Sequence, residues 1–320
     1  MDEAKVTIGV RCYNAEKYIE RCARSLFNQT YRKCDFLFVD DCSTDNTIDI
    51  IKKTILDYPD RIEQLRIIRR KENGNRASCL NTILDNINGD FFTLVDSDDY
   101  LEPNAIELFF KVQSSNDSDV VISEMKSIWK DYTSISSMKN FPTGKDLCLA
   151  QLGSKARWCI CGSFIRSNLI TNDIRCIPGA NMGEDLVIEV RLTYKANKIS
   201  VLHSPIYIYD RTNENSSMFA FREEFRRQFD ENMDLLYQFF QDKGESYINA
   251  WYHTRVISLI EDVKLVCIAG GHQKFYEDRV KRIRKIEKRH KLFFPFSYKI
   301  IHSLLWCRPI LNIIIKCNKR

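Results

Sequence analysis

Short apolar runs alternate with amphipathic stretches through the first half of the chain, in the order that predicts βαβ units and a mainly parallel sheet. The strand candidates are Val6 to Val10, Phe36 to Val39, Leu65 to Ile68, Phe91 to Val95 and Val120 to Ser123. Between the first two, Tyr18, Ile19, Cys22, Ala23, Leu26 and Phe27 recur on one helical face, with Asn14 placed to cap the helix start. Ile48, Ile51 and Ile55 form a second stripe, and Ala77, Leu80, Leu84 and Ile87 a third. Pro103 suits the first turn of a helix carrying Ile106, Phe109 and Phe110. Farther on, Phe221, Phe225, Phe229, Met233, Leu236 and Phe240 keep helical spacing, so a C-terminal helical extension is expected.

The run Phe91-Phe92-Thr93-Leu94-Val95-Asp96-Ser97-Asp98-Asp99 ends an apolar strand in three carboxylates. Such carboxylates repel one another unless something cationic neutralises them, and a hard divalent ion with oxygen ligands is one solution. A polar turn between strand and helix is the other reading. The second strand ends similarly, in Val39-Asp40-Asp41-Cys42-Ser43-Thr44-Asp45. Carboxylates at a strand tip accept hydrogen bonds from a nucleobase imide or a ribose hydroxyl, whereas Ser43 or Asp45 equally serves as a helix cap. Ligands of open α/β sheets bind beyond the carboxyl ends of the strands, where both acidic motifs fall. No Gly-rich dinucleotide fingerprint and no P-loop occurs, which disfavours a dinucleotide oxidoreductase and an ordinary nucleoside triphosphatase.

The 320 residues are 44% hydrophobic, enough for a large core. Lys and Arg number 48 against 43 Asp and Glu, and the net charge of +5 is too small to imply nucleic-acid binding by the whole molecule. The 12 cysteines contain no CxxC pair and there are only 5 histidines, which argues against a zinc site and for free thiols in a reducing cytosol. The N-terminus enters the strand at Val6 without a long hydrophobic segment, so a secreted protein is not expected.

Taken together, Val6-Thr7-Ile8-Gly9-Val10 followed by Tyr13-Asn14, the Asp40-Asp41 segment, the Asp96-Ser97-Asp98-Asp99 segment and Met182-Gly183-Glu184-Asp185 resemble the inverting glycosyltransferases of family two, over about residues 5 to 211. The resemblance implies an α/β, GT-A nucleotide-sugar-binding sheet with helices on both faces. It implies three parts: residues 1–124 for the nucleotide sugar, 125–211 for acceptor and catalysis, and 212–320 as the helical extension. It also implies a nucleoside-diphosphate sugar donor, UDP-linked, a glycan or lipid-linked saccharide acceptor, and Mn2+ or Mg2+.

Carried over by position, the resemblance puts Tyr13, Asn14, Asp40, Asp41, Asn81, Asp96 and Arg76 in the nucleotide-sugar shell and Asp98 on the metal, with Asp99 aiding the metal's water or bracing the loop. Many members have Arg directly before the residue matching Asn81, where this chain has Leu80. Asp185 is the expected base, because an acceptor hydroxyl needs a positioned carboxylate to take its proton. Glu184 supports it or contacts the acceptor; taken alone, the tripeptide Gly183-Glu184-Asp185 is equally a helix start favouring negative charge. Trp158 is a candidate acceptor contact, and His203 and Arg211 are either diphosphate contacts or packing residues. Two other readings stand beside this one: an inactive carbohydrate-binding or scaffold protein, and a nucleotidyltransferase.

The segment Thr212-Asn213-Glu214-Asn215-Ser216-Ser217 is polar and turn-prone. Near the end, Lys281, Arg282, Arg284, Lys285, Lys288, Arg289 and Lys291 precede Phe293, Phe294, Phe296, Leu304, Leu305 and Trp306. That pattern fits either a peripheral contact with an anionic membrane surface at the cytoplasmic face or a helix packed on the body.

Overall fold

The structure is a computed structural model, and it describes residues 4–212, 221–288, 290, 296–305, 308, 309 and 311. The chain divides into two compact units, Met1–Cys148 with Arg157–Ser216, and Leu149–Ala156 with Ser217–Arg320. The first is built on a sheet of β1 (Val6–Cys12), β2 (Cys34–Asp40), β3 (Leu65–Arg69), β4 (Phe91–Asp96), β5 (Tyr100–Leu101), β6 (Val120–Ile128), β7 (Thr133–Ser136), β8 (Ser163–Arg166) and β9 (Ile199–Asp210). Its order is β3-β2-β1-β4-β8-β6-β9-β5, with β7 paired to β6. Helices α1 (Ile19–Phe27), α2 (Thr47–Thr54), α3 (Asn75–Asp85), α4 (Ala105–Asn116) and α6 (Glu184–Lys195) flank it, and α5 (Gly144–Leu152) lies between α4 and α6 in the chain.

The first four strands in chain order are mutually parallel, as the βαβ pattern predicts. Beyond β4 the sheet is mixed, because β8 runs antiparallel to both β4 and β6 while β6 and β9 are parallel. Every residue of β1 and β2 is buried, which is why they read as continuous apolar runs rather than alternating ones. The chain leaves β1 to one side for β2 and β3 and returns on the other for β4, so the order reverses between β1 and β4. A crevice at such a reversal is where open α/β sheets hold ligands, and here Arg11 and Asp96 stand in register at its edge.

Local details correct three expectations. Asn14 does not cap α1, which begins at Ile19 after Tyr18; it adopts a positive φ of 47° and its side chain accepts from the Thr44 amide at 2.9 Å. Pro103 precedes rather than opens α4, whose cap is Asn104, and Ile87 falls beyond the end of α3. Gly9 is required by close packing: a Cβ there would lie 2.6 Å from Ile83 Cγ2 and 3.0 Å from a Phe92 ring carbon. Gly9→Val is therefore expected to destabilise the protein by about 1–3 kcal/mol, as overpacking does. Chemical denaturation with an unchanged midpoint would contradict this.

The second unit contains α7 (Glu223–Phe240), α8 (Glu245–Ala269), α9 (Gln273–Glu287) and α10 (Phe296–Ser303). The stripe Phe225, Phe229, Met233, Leu236 and Phe240 is buried on α7, as its spacing predicts, while Phe221 precedes the helix. Val256, Leu259, Ile260 and Val263 of α8 cluster with Phe275, Tyr276, Val280 and Ile283 of α9 and with Leu305. Among the basic residues, Lys281, Arg284, Lys285 and Lys288 are exposed, while Arg282 pairs with Asp230 at 2.9 Å. Leu304 and Leu305 pack against this core. Arg289, Lys291, Phe293, Phe294 and Trp306, the side chain of Phe296, and the turn-prone Asn213 to Ser217 lie outside the described residues. Among the described residues no helix is long and apolar enough to cross a membrane.

Candidate active site

The site grows from the carboxyl ends of β1, β2 and β4 and the first turn of α6. Gly183 adopts φ +88° and ends the preceding loop, so that Glu184 and Asp185 begin the helix, where negative charge is favourable. Arg11 of β1 joins them to the acidic end of β4. Its Nη2 lies 2.7 Å from Asp96 Oδ1, and its Nη1 lies 3.2 Å from Glu184 Oε1 and 3.4 Å from Asp185 Oδ1. Arg76, on the first turn of α3, approaches the same carboxylates, with Nε 2.8 Å from Glu184 Oε1 and Nη2 3.7 Å from Asp96 Oδ2 and 4.0 Å from Asp185 Oδ2. Two arginines and three carboxylates thus form one cluster from four elements.

Electrostatics within the cluster separates its members. Burial alone would raise Asp96, but Arg11 and Arg76 outweigh it and hold the group below its ordinary value. Burial likewise pushes Asp185 up, here to about 6 despite Arg11, with Glu184 adding to the rise. A carboxylate in that range is ionised at neutral pH yet a better proton acceptor than an exposed one. Asp99 is buried behind the motif, accepting from Tyr207 Oη at 2.6 Å and from the Asp210 amide at 2.9 Å. The same phenol oxygen accepts from the Asp96 amide at 3.2 Å, so Tyr207 ties the acidic turn to β9. Asp99 therefore braces the loop.

The nucleotide-side candidates occupy the neighbouring strand end. Asp40 is buried, with both oxygens accepting from the Ser43 amide at 3.2 Å, and it shapes the turn after β2. Asp41 Oδ1 accepts from the Gly74 amide at 3.0 Å and lies 2.8 Å from Arg70 Nε, which pins the loop before α3. Asp45 receives the Thr47 amide at 3.0 Å, although Asn46 is the residue that precedes α2. Ser43 instead accepts from the Asn14 amide at 2.9 Å. Tyr13 follows β1 and is 52% exposed, leaving its ring face open.

Four candidates stand apart from the arginine–carboxylate cluster or serve another element. Asn81 uses both ends of its amide on Cys176, donating to its carbonyl at 3.0 Å and accepting from its amide at 2.8 Å. It thereby holds the segment leading to α6. Trp158 is half-buried on the loop ahead of β8, which a Leu94–Cys161 bridge lays beside β4. His203 lies 3.3 Å from both Glu124 Oε1 and Asn140 Oδ1, and the Arg211 guanidinium sits over the rings of Trp129 and Tyr209 at 4.6 and 4.4 Å. The packing alternative is thus the one these two contacts display.

Asp98 is half-buried at the tip of the turn, and its carbonyl accepts from Arg21 at 2.7 Å. Among the described residues no three His, Cys, Asp or Glu side chains converge in a way that would hold an ion by themselves. An ion of the Mg2+ class needs only one or two protein carboxylates, because water and substrate phosphates complete its octahedron. Asp98, at the tip of the acidic turn, is the residue whose chemistry suits that limited role. Arg11 and Tyr207 are the residues that sequence reasoning missed. The available signal was an arginine inside the apolar run Val6 to Cys12, which demands a buried anion.

The profile of glycosyl transferase family 2 matches residues 7–184, more than half of the chain, a span that takes in Arg11, Arg76, Asp96 and Glu184 and ends one residue before Asp185. The chain belongs to glycosyl transferase family 2. It is an enzyme, a glycosyltransferase with a GT-A nucleotide-sugar fold. The chain is 26% identical over 224 residues to the glycosyltransferase GlyG of Streptococcus pneumoniae, covering 64% of this chain and 70% of that protein. It is 30% identical over 219 residues to the poly(ribitol-phosphate) β-N-acetylglucosaminyltransferase TarS of Staphylococcus aureus, covering 67% of this chain but only 37% of TarS. The fold matches the crystal structure of S. aureus TarS 1-349 in complex with UDP-GlcNAc, with a TM-score of 0.63, 20% identity and coverage of 94% and 91% of the two chains. A mannosyltransferase from Pyrobaculum calidifontis in complex with GDP-Man and Mn2+ aligns with a TM-score of 0.57 at 14% identity, covering 98% of this chain and 86% of that one.

Proposed function

We propose that the enzyme transfers a sugar from a nucleoside-diphosphate donor to a hydroxyl of a bacterial surface polymer, a glycan or a lipid-linked saccharide, with inversion. The observation that carries this reading is the placement of Asp185 in the first turn of α6, within reach of the same arginine that holds Asp96. The acceptor oxygen bonds to the anomeric carbon as the bond from that carbon to the diphosphate breaks. Asp185 takes the hydroxyl proton, and the nucleoside diphosphate leaves. Tyr13 offers its exposed ring to the base, Asp41 and Asp96 orient the nucleoside and sugar, and Arg76 turns toward the donor. A UDP-linked donor is favoured because TarS, a relative with 30% identity, has been solved with UDP-GlcNAc.

A Mn2+ or Mg2+ ion would be held at Asp98, and when bound it would supply positive charge to the diphosphate. Chelation with EDTA is expected to abolish turnover and either ion to restore it. Asp98→Ala should raise the ion concentration needed for half-maximal rate by about tenfold or more, as losing a metal-site partner typically does. A rate indifferent to EDTA would remove the ion from the reading. The exposed basic residues of α9 supply the attraction for an anionic membrane surface, where a lipid-linked acceptor would be met. Sedimentation with anionic but not neutral vesicles, weakened by salt, is the expected behaviour.

Product analysis tests the reaction itself. Incubation with UDP-GlcNAc or GDP-Man, Mn2+ or Mg2+ and a panel of glycan acceptors should yield nucleoside diphosphate and a glycosylated product. Pyrophosphate formed from a nucleoside triphosphate, with no glycosyl product, would assign the protein to nucleotidyl transfer instead.

A further inference from the structure

Arg11 is the one cation of β1, a strand buried at every position, and its side chain is only 5% exposed. A guanidinium so enclosed is strongly unfavourable unless anions compensate it. Its compensation comes from Asp96, 85 positions away, and from Glu184 and Asp185, 173 and 174 positions away. The strand holds the guanidinium by its register, Arg11 facing Asp96 across the β1–β4 pair. Arg76 touches the same three carboxylates from a side chain that is 36% exposed. Arg76 is thus the accessible cation of the two and Arg11 the enclosed one.

We propose that Arg11 is a positioning residue for sugar transfer: a fixed cation that aims the Asp185 carboxylate and remains in place when Arg76 turns to the donor. This rests on the base role proposed above for Asp185. Three carboxylates face two guanidiniums in the cluster, so loss of Arg11 would leave a single cation among them. The other titratable groups facing Asp185 are the Cys176 thiol before α6 and, around Arg11, Cys161 ahead of β8; Tyr207 of β9 borders Asp96. A hydrogen bond with Cys159, together with burial, raises the Cys161 thiol and burial raises the Tyr207 phenol, so both stay neutral; being neutral or anionic groups, thiols and phenols cannot replace the lost positive charge. Asp185 would then take up a proton at higher pH and cease to accept one from the acceptor.

Arg11→Gln and Arg11→Lys in the full chain test this, assayed with whichever of UDP-GlcNAc and GDP-Man the product analysis selects. Arg11→Gln should lower kcat at pH 7 by about tenfold or more and move the acid limb of the kcat profile up by about one pH unit, the shift expected when an opposite charge is removed from a carboxylate. Donor affinity should stay within about threefold. Arg11→Lys restores the charge but not the planar fork, so its acid limb should return toward wild type with kcat only partly recovered. Acid limbs of both variants coinciding with wild type, measured on folded protein, would overturn the positioning role. If Asp185→Asn retains full turnover, the base reading fails; if Asp185→Asn is inactive but Arg11→Gln keeps the wild-type profile, only the role of Arg11 fails. Should Arg11→Gln not fold, the Arg11→Lys profile decides, because an unaltered kcat with lysine contradicts a need for the fork.

Discussion

Asp185→Asn is expected to lower kcat by about 10²–10⁴-fold, the range that a positioned general base contributes. The amide keeps nearly the volume of the carboxylate and can still meet Arg11 through its oxygen, so the helix start and the cluster should persist. Donor binding should change by less than about threefold, because Asp185 acts on the acceptor proton. In the wild-type enzyme kcat should fall as pH drops through about 6, where burial has placed the Asp185 carboxyl. The direction follows from the chemistry: a base must be ionised, so the raised value moves the acid limb up from the ordinary carboxylate range. Turnover by Asp185→Asn at the wild-type rate would exclude Asp185 as the base and transfer attention to Glu184, which shares Arg11 at 3.2 Å.

Much of this architecture is legible in the chain because local patterns and tertiary demands agree. β1, β2 and β4 are buried on both faces, so their apolar runs announce them, and α1 and α7 show their buried stripes residue by residue. The mixed half is harder to see. β8 has four residues and carries Arg166, and β9 runs for 12 residues with His203 and Pro205 inside it, so neither resembles a simple strand. The acidic motifs are visible as local strings, but their division of labour is not. Asp40 is taken up within its own string by the Ser43 amide three positions on, whereas Asp99 is taken up by Tyr207, 108 positions away, a contact set by the fold. Asn14 and Asn81 show the same effect: each is polar for a backbone group, 30 positions away for Asn14 and 95 for Asn81. Arg11 is the clearest instance, since its meaning depends on carboxylates that only the β1–β4 pairing and the start of α6 bring to it.

Arg279→Met should cost about 3–5 kcal/mol of stability, the penalty for breaking a buried ion pair by removing one partner. The Arg279 side chain is 1% exposed, with Nη1 2.5 Å from Asp230 Oδ2 and Nε 2.9 Å from Asp262 Oδ2, so it joins α9 to α7 and α8. Asp230 retains Arg255 at 2.5 Å and Arg282 at 2.9 Å after the change. Asp262 is more vulnerable, being 2% exposed and left with Arg226. Burial already pushes Asp262 up to about 6 against the pull of Arg226 and Arg279, and removal of Arg279 raises it further. A carboxyl whose folded value lies above its unfolded value opposes folding at pH above the folded value and ceases to do so once protonated. The deficit of Arg279→Met should therefore be largest above the raised value that Asp262 takes in the variant, shrink as pH falls through that value, and level off below about 6, where the wild-type carboxyl is protonated as well. Asp262→Leu combined with Arg279→Met should recover part of the loss, because an apolar pair carries no desolvated charge and Arg226, at 14% exposure, can turn to water. Denaturation curves at pH 5 and 8 decide the matter: an equal deficit at both, with no recovery in the double variant, would show that Arg279 stabilises the helices by packing rather than by charge.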